Sequence, residues 1–334
     1  MRPPAPSPAF HLQLNAFSRA QSSTHSLNKL KVMSAQNDTT SAPTINLLSR
    51  RSALKTLGMG AIGITALRYM NTPLQAATGP GQDAAVLNFA LNLEYLEAEY
   101  YTYATKGHSI TAEGVAVNGA GTAGAVTIKA NPLVTFSSTA MRQHAEEIAE
   151  DERAHVKFLR AALAVAGVQP VARPAINLRE SFMDAAAAAG LGEGFDPFAN
   201  ETNFFLGAFI FEDVGVTAFK GAAPLIANKT FLEAAAGILA VEAYHAGVVR
   251  HIIYNKGAGA RTAANKISDL RDAVDGAADT DQGVTKDGKA NMVPTDANGL
   301  AFSRTPRQVL NIVYLGVNAT QGGFFPNGLN GAIK

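Results

Sequence analysis

The chain has 334 residues, a formal net charge of +1, 47% hydrophobic and 16% charged residues, and neither cysteine nor tryptophan. Without thiols it forms no disulfide and offers no thiolate to a metal, which leaves carboxylates and imidazoles for any metal chemistry. Residues 1–76 hold eight Lys/Arg and one Asp, so the other 258 carry 20 basic against 26 acidic residues, a formal charge of −6 that argues against nucleic acid as a partner.

The first 76 residues read as a targeting segment. Ser49-Arg50-Arg51-Ser52-Ala53-Leu54-Lys55 resembles a twin-arginine export signal, with Ala53 where such signals usually carry Phe. The apolar run at 56–67 is Gly-rich and too short for a bilayer, which needs about 20 apolar residues. Ala76 and Ala77 offer small residues for cleavage. The expected destination is periplasmic or extracellular, Met1 and Met33 are both candidate starts, and no later segment is expected to span a membrane.

Beyond the leader, Val86, Leu87, Ala90, Leu91, Leu93, Ala98 and Tyr101 recur at spacings of three and four, predicting a helix over 83–105. Glu94 lies on its apolar stripe and Glu97 at the edge, while Glu99 reads as solvated. Residues 108–136 are rich in Gly, Val and Thr. Within them 115–117 and 125–128 flank a Gly-rich turn, which predicts a small β-hairpin inserted at one end of the fold. A second helix is expected over 138–166, capped by Ser138 and ended by Gly167 and Pro170. A crossover follows, with a short helix over 178–189 and a loop at 192–197. The third long helix covers 201–220 after Asn200, and the fourth 229–255 after Pro224 and Asn228. Residues 257–334 read as an irregular extension with a short helix over 264–274 and a last helix over 306–315, opened by Thr305-Pro306. The organisation expected is all-α: leader 1–76, four-helix bundle 77–256, and C-terminal extension 257–334 packed on the bundle.

Chemistry is concentrated in two Glu-x-x-His stretches, Glu152-Arg153-Ala154-His155 and Glu242-Ala243-Tyr244-His245. Residues i and i+3 share a helix face and lie about 4.5 Å apart along the axis, so each pair can grip one ion from one side. Each follows a helix with its own inward glutamate, Glu94 before the first and Glu212 before the second. The halves echo one another, for Glu94 is followed seven residues on by Tyr101 and Glu212 by Phe219, and this favours Glu94 over Glu97 as the first-half ligand. Four carboxylates in one bundle interior cannot all stay ionised unless something offsets them. Two divalent ions would, and iron or manganese suits mixed oxygen and nitrogen donors, whereas zinc would bind without redox work. His144 reads as a bundle-end or surface residue, His108 and His251 as surface, and Glu146, Glu147, Glu150 and Asp151 as a solvated helix face.

The segments Leu91-Asn92-Leu93-Glu94-Tyr95-Leu96-Glu97-Ala98-Glu99-Tyr100-Tyr101, Glu212-Asp213-Val214-Gly215-Val216 and Val241-Glu242-Ala243-Tyr244-His245 resemble the ferritin-like domain family, which includes plant desiccation-related proteins and exported bacterial homologues. The tail shares the resemblance through Asn291-Met292-Val293-Pro294, Arg304-Thr305-Pro306 and Gly322-Gly323-Phe324-Phe325-Pro326. It implies a ferritin-like four-helix bundle with a crossover connection and a dimetal centre of two Fe or Mn ions. Glu94, Glu152, His155, Glu212, Glu242 and His245 match the ligand positions, Glu152 and Glu242 the bridging ones. Tyr101 falls where ferritins often keep a tyrosine near the site, which makes it the candidate catalytic side chain. The expected activity is oxidation of ferrous iron or consumption of peroxide, with dioxygen or peroxide as reactant, in oxidative or desiccation stress. A stress-protective structural protein with little turnover is the alternative, and a manganese catalase-like enzyme ranks below it. The hairpin and tail would obstruct a 24-subunit cage, so a monomer or homodimer is expected.

Overall fold

Four long helices in two antiparallel-neighbour pairs carry the structure, a computed structural model that describes residues 80–276 and 280–334. The expected export signal and cleavage site lie outside the described residues. Helix α1 (Pro80–Lys106) packs along α2 (Thr139–Val165), and α4 (Glu201–Ala222) along α5 (Lys229–Asn255). Contacts of α1 with α4 and of α2 with α5 close the bundle. The crossover between the pairs contains α3 (Glu180–Ala188). Two further helices, α6 (Ala258–Asp275) and α7 (Pro306–Val313), belong to the extension and lie against α4.

The helix starts follow local chemistry. Ser138, Asn200 and Asn228 sit in extended backbone and accept from the first free N–H groups of α2, α4 and α5. Thr305 and Gln308 form a reciprocal capping box around Pro306. The predicted long helices hold to within a few residues. The extension helix begins earlier than its apolar pattern suggested, at Ala258.

The hairpin expected over 115–128 is replaced by a different pairing. Val126–Thr127 (β1) runs parallel to Ile176–Asn177 (β2), and Ala120 bridges Val171 in the same sense. The insertion therefore pairs with the crossover instead of folding back on itself. Gly119 and Gly124 permit the close approach, because a Cβ at either would lie within 2.0 Å of Pro170 O or 2.1 Å of Ala175 N. A true hairpin forms elsewhere, between Thr285–Lys286 (β3) and Lys289–Ala290 (β4), around Asp287 and Gly288 in left-handed backbone.

Helices α4, as Glu201–Leu225 with the short turn that follows it, and α5 are long and apolar enough to cross a membrane, contrary to the expectation that no such segment follows the leader. In α4 that apolarity serves the core, since 83% of its most apolar window is buried and its phenylalanines pack on Tyr100, Phe136 and Phe182. The extension is joined to the bundle by charge as well as by apolar contact. The fully buried guanidiniums of Arg250, Arg271 and Arg304 bond to Asp213, Asp281 and Asp275 at 2.6–2.9 Å.

Candidate metal centre

The bundle interior between the two pairs is lined with carboxylates. Glu94 of α1, Glu152 of α2, Glu212 of α4 and Glu242 of α5 have no solvent exposure, and His155 and His245 are buried beside them. Each Glu-x-x-His pair faces inward because i and i+3 share the buried stripe of its helix. His155 Nδ1 lies 3.2 Å from Glu94 Oε2, 3.5 Å from Glu152 Oε2 and 3.9 Å from Glu242 Oε1. His245 Nδ1 lies 3.0 Å from Glu152 Oε1 and 3.5 Å from Glu212 Oε2. The two rings stand 6.3 Å apart. Donor atoms thus gather in two groups within 4.8 Å: Glu94, Glu152, His155 and Glu242 in one, and Glu152, Glu212 and His245 in the other. Glu152 belongs to both, and Glu242 to the first alone.

A glycine makes this convergence possible. Gly215 of α4 sits beside Glu242, and a Cβ there would fall 2.1 Å from Glu242 Oε2. Tyr101, fully buried on α1, donates its hydroxyl across the bundle to Glu212 Oε1. On the outer side of His245, Nε2 lies 3.1 Å from Asp151 Oδ2. Asp151 was expected to be solvated with its acidic neighbours. It is 44% exposed, yet it orients a buried ring.

Electrostatics follow from burying so many acids together. Burial pushes the Glu94 carboxyl up to about 8 against the pull of His155. Burial also raises Glu212, opposed by His245, and raises Glu97 and Glu242 well above the carboxylate range, with neighbouring carboxylates adding to it. Glu152 moves the other way: burial alone would raise it, but His155 and His245 on either side hold it below its ordinary value. Burial works against charge on both imidazoles, and the surrounding carboxylates outweigh it and push each up to about 12. Without a cation, protons are what balance the cluster.

The donor set fits divalent metal by an independent observation. Glu94 Oε1, both oxygens of Glu152, Glu212 Oε2, both oxygens of Glu242 and His245 Nδ1 are buried without a hydrogen-bond partner. Buried polar atoms are rarely left so, and their concentration at one point is what metal ligation would resolve. Oxygen and imidazole donors in this mixture suit iron, manganese or zinc.

Other sequence readings shift. Glu97 stays near the centre but joins neither donor group. Glu99, read as solvated, is fully buried and accepts from Arg173, Ser109 Oγ at 2.8 Å and Ile110 N at 3.2 Å. The side chain of His108 is partly exposed and pairs with Glu113 at 2.6 Å. His144 lines a groove of about 230 Å³ between α2 and α5, whose wall includes Asp151, Tyr244 and His245. The position of Asp151 immediately before Glu152 was the only available signal for its role, and it is ambiguous without knowing which helix lies opposite.

Comparison with known proteins identifies relatives of the whole bundle. The sequence pattern described as ferritin-like domain matches residues 82–255. The desiccation-related protein PCC13-62 of Craterostigma plantagineum is 30% identical over 253 residues, covering 69% of this chain and 77% of that protein. The ferritin-like catalase Nec2 of Nesocodon mauritianus is 28% identical over 274 residues, covering 75% and 84% respectively. No solved structure gives a significant match.

Proposed function

Since the chain belongs to the ferritin-like domain family, we propose that its buried cluster holds two Fe or Mn ions and consumes peroxide. The convergence of two Glu-x-x-His pairs on a shared Glu152, with unpaired carboxylate oxygens around it, carries this reading. Glu94, Glu152, His155 and Glu242 would hold one ion, and Glu152, Glu212 and His245 the other. Bound there, such a pair supplies reversible two-electron chemistry, as disproportionation of peroxide to water and dioxygen requires. A relative named as a ferritin-like catalase supports peroxide over ferrous iron as the reactant.

The chain's own groups have separate tasks. With metal bound, Asp151 would accept from His245 Nε2–H, which would fix the neutral tautomer with its Nδ1 facing inward. Val241 occupies the corresponding place before Glu242, so the two halves differ in this support. Tyr101 holds a proton at its hydroxyl beside Glu212. Burial and the Glu212 charge keep that phenol protonated well above its ordinary range. Apolar packing around Glu94 and Glu212 excludes bulk water from the carboxylates. The groove over Asp151 and His245 brings solvent close to the cluster on the α2/α5 side.

A second reading is a stress-protective protein in which the ligands serve stability with little turnover, as the desiccation-related relative suggests. Metal content and peroxide consumption of the purified protein separate the two. About two Fe or Mn per chain, lost in Glu152→Ala/Glu242→Ala together with peroxide consumption, is the expected result. Two metals without peroxide turnover would favour the protective reading, and metal content unchanged by the double substitution would remove the centre itself.

A further inference from the structure

The groove above His245 lies on the α2/α5 side of the bundle. On the opposite side, between α1, α4 and α7, there is a small cavity that none of the metal-donor carboxylates lines. It leaves about 20 Å³ for the centre of a water-sized molecule, enough for one small molecule. Leu93 and Leu96 of α1, Phe211 and Val214 of α4 and Val313 of α7 supply apolar walls. The single polar side chain on the lining is Glu97.

Glu97 differs from its neighbours in two respects. Glu94, one turn away, has no exposure at all, whereas Glu97 retains 5% while sitting inside the bundle and lining this cavity. No protein group among the described residues donates a hydrogen bond to it. It also stands outside both donor groups that would hold metal. A buried carboxyl without a protein partner is costly, and since such a group accepts and, when protonated, also donates, it is best met by a ligand that does both. Dioxygen donates nothing, and aliphatic molecules neither donate nor accept. Water and hydrogen peroxide do both, and both are small enough. Gly215 borders the same cavity and also abuts the Glu242 carboxylate, so the cavity shares a lining residue with the proposed metal centre.

We propose that this cavity is a subsite for hydrogen peroxide, occupied by water at rest, and that Glu97 holds the ligand by accepting a hydrogen bond from its O–H. The assignment rests on the peroxide-consuming reading above and adds a place and a binding residue to it. Glu97 is then a substrate-binding residue and not a metal ligand, which separates it from Glu94 one turn earlier.

The test uses zinc-loaded crystals soaked in hydrogen peroxide, because zinc takes the same donors without redox turnover. Density for two linked oxygens against Glu97 is expected in the wild type and in Glu97→Gln, and is expected to vanish in Glu97→Leu. In iron- or manganese-loaded protein, Glu97→Leu should raise the peroxide KM about tenfold, with kcat within about threefold and the metal content intact. Glu97→Gln should stay within about threefold in KM. Thermal melts of both variants confirm that the fold persists. Loss of a metal in both variants would make Glu97 a ligand and overturn the proposal. A cavity that keeps only water at high peroxide, or an unchanged KM in Glu97→Leu, would overturn it as well. Peroxide bound at Glu97 in a protein with no turnover would keep the subsite and remove the catalytic reading. Turnover with no peroxide found there would do the reverse.

Discussion

At the scale of single residues, the cluster has the character of a site awaiting positive charge, and its pH dependence states this directly. Glu94 rises from an ordinary 4.5 to about 8 through burial, so between those values the folded metal-free protein holds a proton that the unfolded chain has released. Stability therefore falls as pH rises across that window. His155 and His245, raised from 6.5 to about 12 because their carboxylate neighbours outweigh burial, add to the same slope above 6.5. Glu152, held low by those imidazoles against the effect of burial, works in the opposite sense and only below 4.5. The metal-free protein is expected to melt at its highest temperature near pH 4.5–5 and at progressively lower ones toward pH 8. Metal binding, which requires deprotonated ligands, should stabilise more as pH rises. A metal-free melting temperature that climbs from pH 5 to 8 would refute this. Gly215 offers a second test. Gly215→Ala should favour the helix by about 1 kcal/mol, yet its methyl would displace Glu242 from 2.1 Å. Lower metal content at unchanged helical circular dichroism is the expected outcome.

At the scale of elements, helix ends decide how the two pairs meet. Asn228 Oδ1 accepts from Thr230 N at 2.9 Å and Phe231 N at 3.3 Å at the start of α5. Its own N–H, with that of Ala227, donates to the buried Asp83 carboxylate of α1 at 2.9 and 2.8 Å. One turn thus caps α5 and ties it to the first helix. Asn228→Ala should cost about 1 kcal/mol through the lost cap. Asp83→Ala should cost more, about 2–3 kcal/mol, because two N–H groups lose their acceptor. Urea denaturation of both variants measures the difference, and equal losses would show that the inter-helix tie contributes little. The long helices were legible because three- and four-residue apolar spacing and Ser or Asn caps are local signals. The insertion was not. Its Gly-, Val- and Thr-rich sequence is compatible with several strand partners, and Val126–Thr127 found its partner about 50 residues on, at Ile176–Asn177. The hairpin at 285–290 did have a local signal in Asp287-Gly288, the dipeptide best suited to a tight turn.

At the scale of the whole molecule, the extension is part of the folded unit and not an appendage. Asp281 receives both Arg271 and Arg304 at 2.7 Å, and Asp213, next to the proposed ligand Glu212, receives Arg250 and Arg271. Arg271 and Arg304 hold the Asp281 carboxyl below its ordinary range against the effect of burial. Asp281→Ala would leave two buried guanidiniums short of a partner, with an expected loss of about 3–5 kcal/mol in denaturant unfolding. A loss under about 1 kcal/mol would mean that water reaches the network. The amino-acid sequence by itself determined the all-α class, the four long helices and the two Glu-x-x-His faces that the bundle buries together, because helical periodicity and the i, i+3 rule are properties of neighbouring residues. Only the tertiary structure decided that Tyr101 serves Glu212, that Asp151 supports His245, that Glu99 is buried against Arg173 and that three arginines are enclosed by the tail. The first three of those pairings join residues 74 to 111 positions apart, and Arg271 reaches Asp213 across 58. Their partners are chosen by how helices cross in space, which no local pattern specifies.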